Sequence, residues 1–170
     1  MFKDAVISDC TIFRYRLLRE FDDALLSGTA LFVLNNPSVA DANIDDATAR
    51  RGMGYTKDWG YSHMWFGNTN PYRSTDPSLA EIPPEPVLAI NDQHLRDMAR
   101  EADIVIAAWG ADANRELSIR AINVIREVAD IYALAFTKKG IPRHILYLKK
   151  DLKPQLYRGK EPHNPENEDG

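Results

Sequence analysis

The chain has 170 residues, 44% of them apolar, and a formal net charge of −4. That length buries a core without disulfides, and the charge excludes a strongly basic protein that holds nucleic acid by wide phosphate neutralisation. The single cysteine, Cys10, has no partner, no apolar run approaches the ~20 residues of a membrane helix, and "MFKDAVISDC" lacks the regions of a signal peptide. A soluble, cytoplasmic protein without membrane association is expected.

In chain order, "TIFRYRLLREF" reads as an early strand alternating apolar residues with arginines, "YRLLREF" also fitting a helix by periodicity, and "TALFVLNN", bounded by Gly28 and Pro37, as a central strand covered on both faces. A helix is expected from Asp45, its N-cap, to Lys57, then a strand over "HMWFGNTN" and a proline-rich loop over "NPYRSTDPSLAEIPPEP". "NDQHLRDMAREA" reads as a helix, "DIVIAAWG" as a buried strand and "NRELSIRAINVIREVAD" as an amphipathic helix. "IYALAF" and "HILYL" read as closing strands. Strands alternating with helices imply one α/β domain over residues 1–153, with a mainly parallel sheet between two helix layers. Residues 154–170 read as a polar tail, disordered from about Gly159.

Charge is unevenly placed. "GKEPHNPENEDG" carries one lysine and four acids, so residues 1–158 sum to −1. Between Thr137 and Lys153 five lysines and Arg143 oppose only Asp151, a local strip equally readable as a solvated face or a phosphate contact.

In open parallel sheets ligands bind outside the carboxyl ends of the strands. The ends proposed here carry Asn35-Asn36-Pro37-Ser38, Asn68-Thr69-Asn70, Trp109-Gly110, and Thr137 leading to His144. Amides, hydroxyls, an imidazole and an indole suit a planar heterocycle, although asparagine, proline and serine are also ordinary turn residues. No phosphate loop, dinucleotide fingerprint or nucleophile elbow occurs, and His63, His94, His144 and His163 lack zinc spacing. Asp41, Asp45 and Asp46 have oxygen ligands suited to Mg²⁺, but capping and solvation account for them as simply. Neither metal nor cofactor is expected.

Two resemblances follow from these residues. "NPSVADANIDDATARR", "WGY", "NTNPYRSTDP", "AAWG" and "TKKGIPRHILYL" together resemble a bacterial and phage family known only as a domain of unknown function, with Ile145 where that family has proline. More distantly, the order of strand-end motifs is similar to the uracil-DNA glycosylase superfamily, a three-layer α/β/α fold. "LNNPS" resembles its G-x-N-P-G first motif, with Leu34 and Ser38 replacing the glycines. "GNTNPYRST" sits where that superfamily reads the base edge, and "RHILYL" where its H-P-S motif lies.

The second resemblance implies a DNA glycosylase-like enzyme that cleaves the N-glycosidic bond of a base, modified or not, after the base leaves the stack. Asn36 would position the attacking water and His144 would donate to the departing base, with Asp41 or Asp46 as a stronger base. Asn35, Ser38, Asn68 and Asn70 would bind the substrate, with Trp59, Tyr72 and Trp109 as stacking rings. Arg50, Arg51, Arg73 and Arg143 would grip phosphates. The expected partner is DNA or a nucleotide. A hydrolase or transferase acting on a free nucleotide or nucleoside, and a non-catalytic nucleotide binder on the same scaffold, are the alternatives.

Overall fold

A computed structural model of the chain describes residues 1–38 and 40–159. Seven strands form one sheet: β1 (Phe2–Ile7), β2 (Arg14–Glu20), β3 (Thr29–Leu34), β4 (His63–Asn68), β5 (Ile104–Ala107), β6 (Tyr132–Ala133) and β7 (Gln155–Leu156). Three helices join them, α1 (Ala47–Asp58), α2 (Glu85–Glu101) and α3 (Arg115–Arg126). The sheet order is β1-β2-β4-β3-β5-β6-β7. Its centre, β4-β3-β5-β6, is parallel, whereas β1 and β2 on one side and β7 on the other pair antiparallel.

Every residue of β3 is buried, as an uninterrupted apolar run between two parallel neighbours requires. Alternation along it feeds two cores. Ala30, Phe32 and Leu34 join Met64, Phe66 and the α1 residues Ala49 and Tyr55. Leu31 and Val33 face the other way, with Leu95 and Met98 of α2 and Ile122 and Ile125 of α3. Helices therefore cover both faces. Each of the larger aliphatic, methionine and phenylalanine side chains among these contributes about 1.5–3 kcal/mol when withdrawn from water. Between β3 and β5 the chain changes direction of travel across the sheet, which opens a crevice at their carboxyl ends.

Several elements differ from the sequence reading. β1, which was not anticipated, extends the sheet beyond β2. Asp46, not Asp45, caps α1, because Asp45 is drawn to Lys3 and Arg19. α2 starts at Glu85 inside the proline-rich segment, since prolines are tolerated in a helix's first turn. "IYALAF" yields only the two-residue β6, and "HILYL" is a turn in which Tyr147 takes a left-handed φ of 71°. The tail is shorter than expected at its start: Gln155–Leu156 pair with β6, and Tyr157 is buried. The disorder expected from Gly159 onward lies, beyond that residue, outside the described residues.

Candidate functional site

The loops leaving β3 and β4 are stitched together by the residues that opened the functional reading. Leu34, Asn35 and Pro37 accept backbone N–H bonds from Thr69, Asn70 and Ser74 at 2.8–2.9 Å. Asn36 Nδ2 donates to the carbonyls of Ser74 (3.0 Å), Pro37 (3.2 Å) and Tyr72 (3.4 Å). Three carbonyls around one amide nitrogen fix which way the amide points, so Oδ1 is the atom Asn36 has left for a ligand.

Beside these loops, β5 ends in Trp109-Gly110. Gly110 has φ +83°, a left-handed conformation that costs a side chain dearly, and its N–H donates to Pro142 O at 2.9 Å. That contact docks a hairpin whose turn, Thr137 to Gly140, carries the exposed Lys138 and Lys139. Its returning arm delivers Arg143 and His144 to the same edge.

The result is a cleft of about 530 Å³. Asn35, Asn36 and Ser38 line it from β3, Asp46 and Thr48 from the start of α1, Trp109 to Asp112 from β5, and Thr137, Arg143 and His144 from the hairpin. Ser74 and Thr75 close it from the β4 loop, and Arg14 enters from β2. Asn36 and His144, far apart in sequence, therefore share one cavity.

His144 is mostly buried, and burial pulls its imidazole below the ordinary value while the Asp46 carboxylate acts in the other direction. Its Nδ1 accepts the Leu146 N–H at 3.1 Å, so the neutral ring carries its proton on Nε2 and acts as a donor there. Asp46 Oδ1 accepts the Ala49 N–H at 2.8 Å as the α1 cap, and its Oδ2 accepts the Ser38 hydroxyl at 2.5 Å.

Other candidates lie elsewhere. Asp41 does not line the cleft: its Oδ1 accepts the N–H groups of Asn43 (2.7 Å) and Ile44 (2.9 Å), closing a loop. Asn68 is fully buried within β4, where its carbonyl accepts from Asn91 Nδ2 at 2.9 Å and its own amide has no partner. Asn70 is consumed by the loop, donating to Glu81 O and accepting the Tyr72 N–H, each at 3.0 Å. Both were expected to bind the substrate, and neither lines the cleft. Trp59 stacks on Phe32 and Tyr55 at centroid distances of 5.8 and 5.3 Å, and Tyr72 sits edge-on to Phe13 at 6.1 Å. Both rings are packing elements rather than cleft walls, because the loop and helix ends that carry them turn into apolar neighbours. Trp109 is the one proposed ring that does line the cleft.

The arginines divide. Arg143 lines the cleft, while Arg73 is turned away and donates to Thr11 O at 3.0 Å. Arg50 and Arg51 line an adjoining groove of about 550 Å³ together with Lys150. Leu146 and the exposed Tyr147 line both hollows, so the groove continues the cleft. Among the described residues no cluster of three or more His, Cys, Asp or Glu is disposed to hold a metal ion, and no helix is long and apolar enough to cross a membrane.

Sequence reasoning missed Arg14. Strict alternation would set it beside Arg16 on an outward face, but the register with β1 shifts between Val6 and Ile7, and Arg14 and Tyr15 are both buried. A bulge of this kind leaves no mark in the sequence. The hydroxyls of Thr48, Ser74 and Thr75 were also missed. Their only signal was proximity to expected strand and helix ends.

A model of the family described as "Protein of unknown function (DUF1643)" matches residues 14–146. The chain belongs to this family. The DUF1643 match begins at Arg14 and ends at Leu146, and so takes in almost every residue lining the cleft. Neither curated proteins nor solved structures yield a match to the chain.

Proposed function

We propose that the cleft cleaves the N-glycosidic bond of a nucleotide, in the manner of a DNA glycosylase. The observation that carries this reading is the convergence of Asn36 and His144 on one cavity at the carboxyl ends of parallel strands. The finer description of the fold as uracil-DNA-glycosylase-like belongs to the same proposal.

The chemistry assigns each group a task. A water held by Asn36 Oδ1 attacks the anomeric carbon as the C–N bond breaks, and its proton passes to the Asp46 carboxylate. The bonding pair leaves with the base, whose growing negative charge meets the Nε2–H of His144. The transition state resembles an oxocarbenium ion, so preorganised dipoles count for more than a strong base. Trp109 supplies an apolar wall for the heterocycle, and Asn35 and Thr137 offer donors and acceptors to its edge. With Asn68 and Asn70 outside the cleft, these two residues take over the edge-reading role. Arg50, Arg51 and Lys150 in the adjoining groove suit the phosphates of a strand running out past Tyr147.

Mass spectrometry of bases released from natural and phage DNAs, without choosing the base beforehand, tests the reaction. Free base should appear, and Asn36→Ala and His144→Ala should each slow its release by about 10²–10⁴-fold, the usual worth of a group that positions the water or stabilises the leaving charge. Undiminished release from both variants would remove these residues from the mechanism. A second reading, hydrolysis or transfer on a free nucleotide, is favoured by the cleft volume, which suits one small ligand. Gel shifts at rising salt separate the two, since only a polymer loses affinity steeply.

A further inference from the structure

β2 carries two buried arginines whose circumstances differ sharply. Arg19, 1% exposed, donates five hydrogen bonds: to Asp45 Oδ1 at 2.7 Å and to the carbonyls of Asp4, Leu18, Asp41 and Ile44. Its charge is paired and its planar fork is filled. Among the described residues the Arg14 side chain, 2% exposed, donates one, from Nη1 to Ala40 O at 2.6 Å. Its Nε has no partner, and among the described residues it forms no ion pair. Of the charges around it, the Asp46 carboxylate acts most and in its favour, Arg73 and Arg19 act against it, and Asp41 favours it less. Burial holds the Arg14 guanidinium down to about 10, still charged at neutral pH.

A buried cation without a carboxylate in contact is costly, and a bound anion that supplies the contact lowers that cost. Arg14 lines the cleft, and so do Ser38, Thr48, Ser74 and Thr75; the Ser38 and Ser74 hydroxyls donate to Asp46 Oδ2 and Asp76 O, so Thr48 and Thr75 bring the hydroxyl donors. Thr48 lies in the first turn of α1, where free N–H groups and the helix dipole favour an anion. A guanidinium fork sharing a cleft with two threonine hydroxyls matches a phosphate group's several acceptor oxygens.

We propose that Arg14 forms the phosphate subsite of this cleft and that the substrate is a nucleotide bound through its own phosphate. This inference rests on the reading of the cleft as a nucleotide site. A phosphate within an intact duplex cannot reach a side chain so enclosed. The phosphate therefore comes from a free mononucleotide or from a nucleotide drawn out of a strand.

Titration calorimetry in phosphate-free buffer, at fixed ionic strength, tests this on the full chain. The probes are inorganic phosphate, the deoxynucleoside 5′-monophosphates, the matching nucleosides and a short single-stranded oligonucleotide. The mononucleotides or the oligonucleotide should bind saturably, at least tenfold more tightly than nucleosides, and inorganic phosphate should compete. Binding of mononucleotides would identify a free ligand as the source, and binding of the oligonucleotide alone a strand. Arg14→Lys should weaken phosphate-bearing ligands, and Arg14→Met should abolish their advantage over nucleosides. Should Arg14→Met fail to fold, the unaltered protein still decides through the rise of its Tm with phosphate against chloride and its competition data. Equal affinity for nucleosides and nucleotides, or no saturable phosphate competition in the unaltered protein, overturns the proposal. Base release is a separate readout: a protein that binds phosphate but frees no base keeps the subsite and loses the glycosylase reaction, whereas one that frees base equally well from phosphate-free nucleosides keeps the reaction and loses the subsite.

Discussion

His94 and His144 are two imidazoles held neutral by their surroundings, and both tie stability to pH. Burial lowers His144, and burial together with the neighbouring Arg16 lowers His94, whose Nδ1 accepts from Arg16 Nε at 2.6 Å. Between the folded values and the unfolded value of about 6.5, the unfolded chain binds protons that the folded chain refuses, so stability declines as pH falls through that window and is unaffected above it. Urea midpoints at pH 7.5 and 5.5 should show a lower value at 5.5. His94→Gln, which keeps an acceptor for Arg16, should flatten part of the difference, and an unchanged slope would assign the effect to other groups. Carboxylates act in a separate, more acidic range. Asp41 is lowered by the N–H groups of Asn43 and Ile44; at Asp45 burial works the other way but is outweighed by bonds from Lys3 and Arg19. At this scale the sequence was informative where chemistry and strand ends coincide, as for Asn36, Ser38, Asp46, Trp109 and His144. It failed for Asn68, Asn70 and Arg14, since the direction of a side chain depends on register and bulges that residue type does not encode.

α1 combines a tightly packed face with an open one, and its two glycines separate these properties. A Cβ at Gly52 would lie 2.7 Å from Phe66 Cζ and 2.8 Å from Met64 Sδ, inside the core that α1 shares with β4. At Gly54 it would meet nothing within 4 Å. Gly52→Ala should therefore destabilise by about 1–3 kcal/mol through overpacking, despite alanine's better helix propensity. Gly54→Ala should stabilise by about 0.5–1 kcal/mol. Thermal denaturation of the two variants checks the signs, and the same sign for both would mean that α1 does not sit on β4 at this depth. The major elements were legible because buried parallel strands and amphipathic helices leave long periodic patterns. The short ones were not. β6 and β7 have two residues each, and the "HILYL" turn bears apolar residues because Ile145 and Leu148 plug the core from a loop.

At the scale of the whole molecule, the cleft is assembled from most of the chain, from Arg14 in β2 to Tyr147 after the hairpin. Its far wall is braced from outside the match to the family: Tyr157 sits edge-on to Trp109 at 6.2 Å, tilted against Phe136 at 5.8 Å, and under Arg126 at 5.4 Å. Tyr157→Ala should cost roughly 3 kcal/mol, as for other buried aromatics, and should alter the tryptophan fluorescence by loosening Trp109. Denaturant titration followed at the indole checks both, and a spectrum identical to the parent's would show that Trp109 stands without this brace.

That brace has a temporal consequence. Ribosomes emit a polypeptide from its amino end, and Arg14 leaves the exit tunnel about 140 residues before Tyr157, a delay on the order of ten seconds. Throughout that interval the Trp109 indole lacks the ring that seats against it, so this stretch of the crevice wall is braced long after Arg14 has emerged.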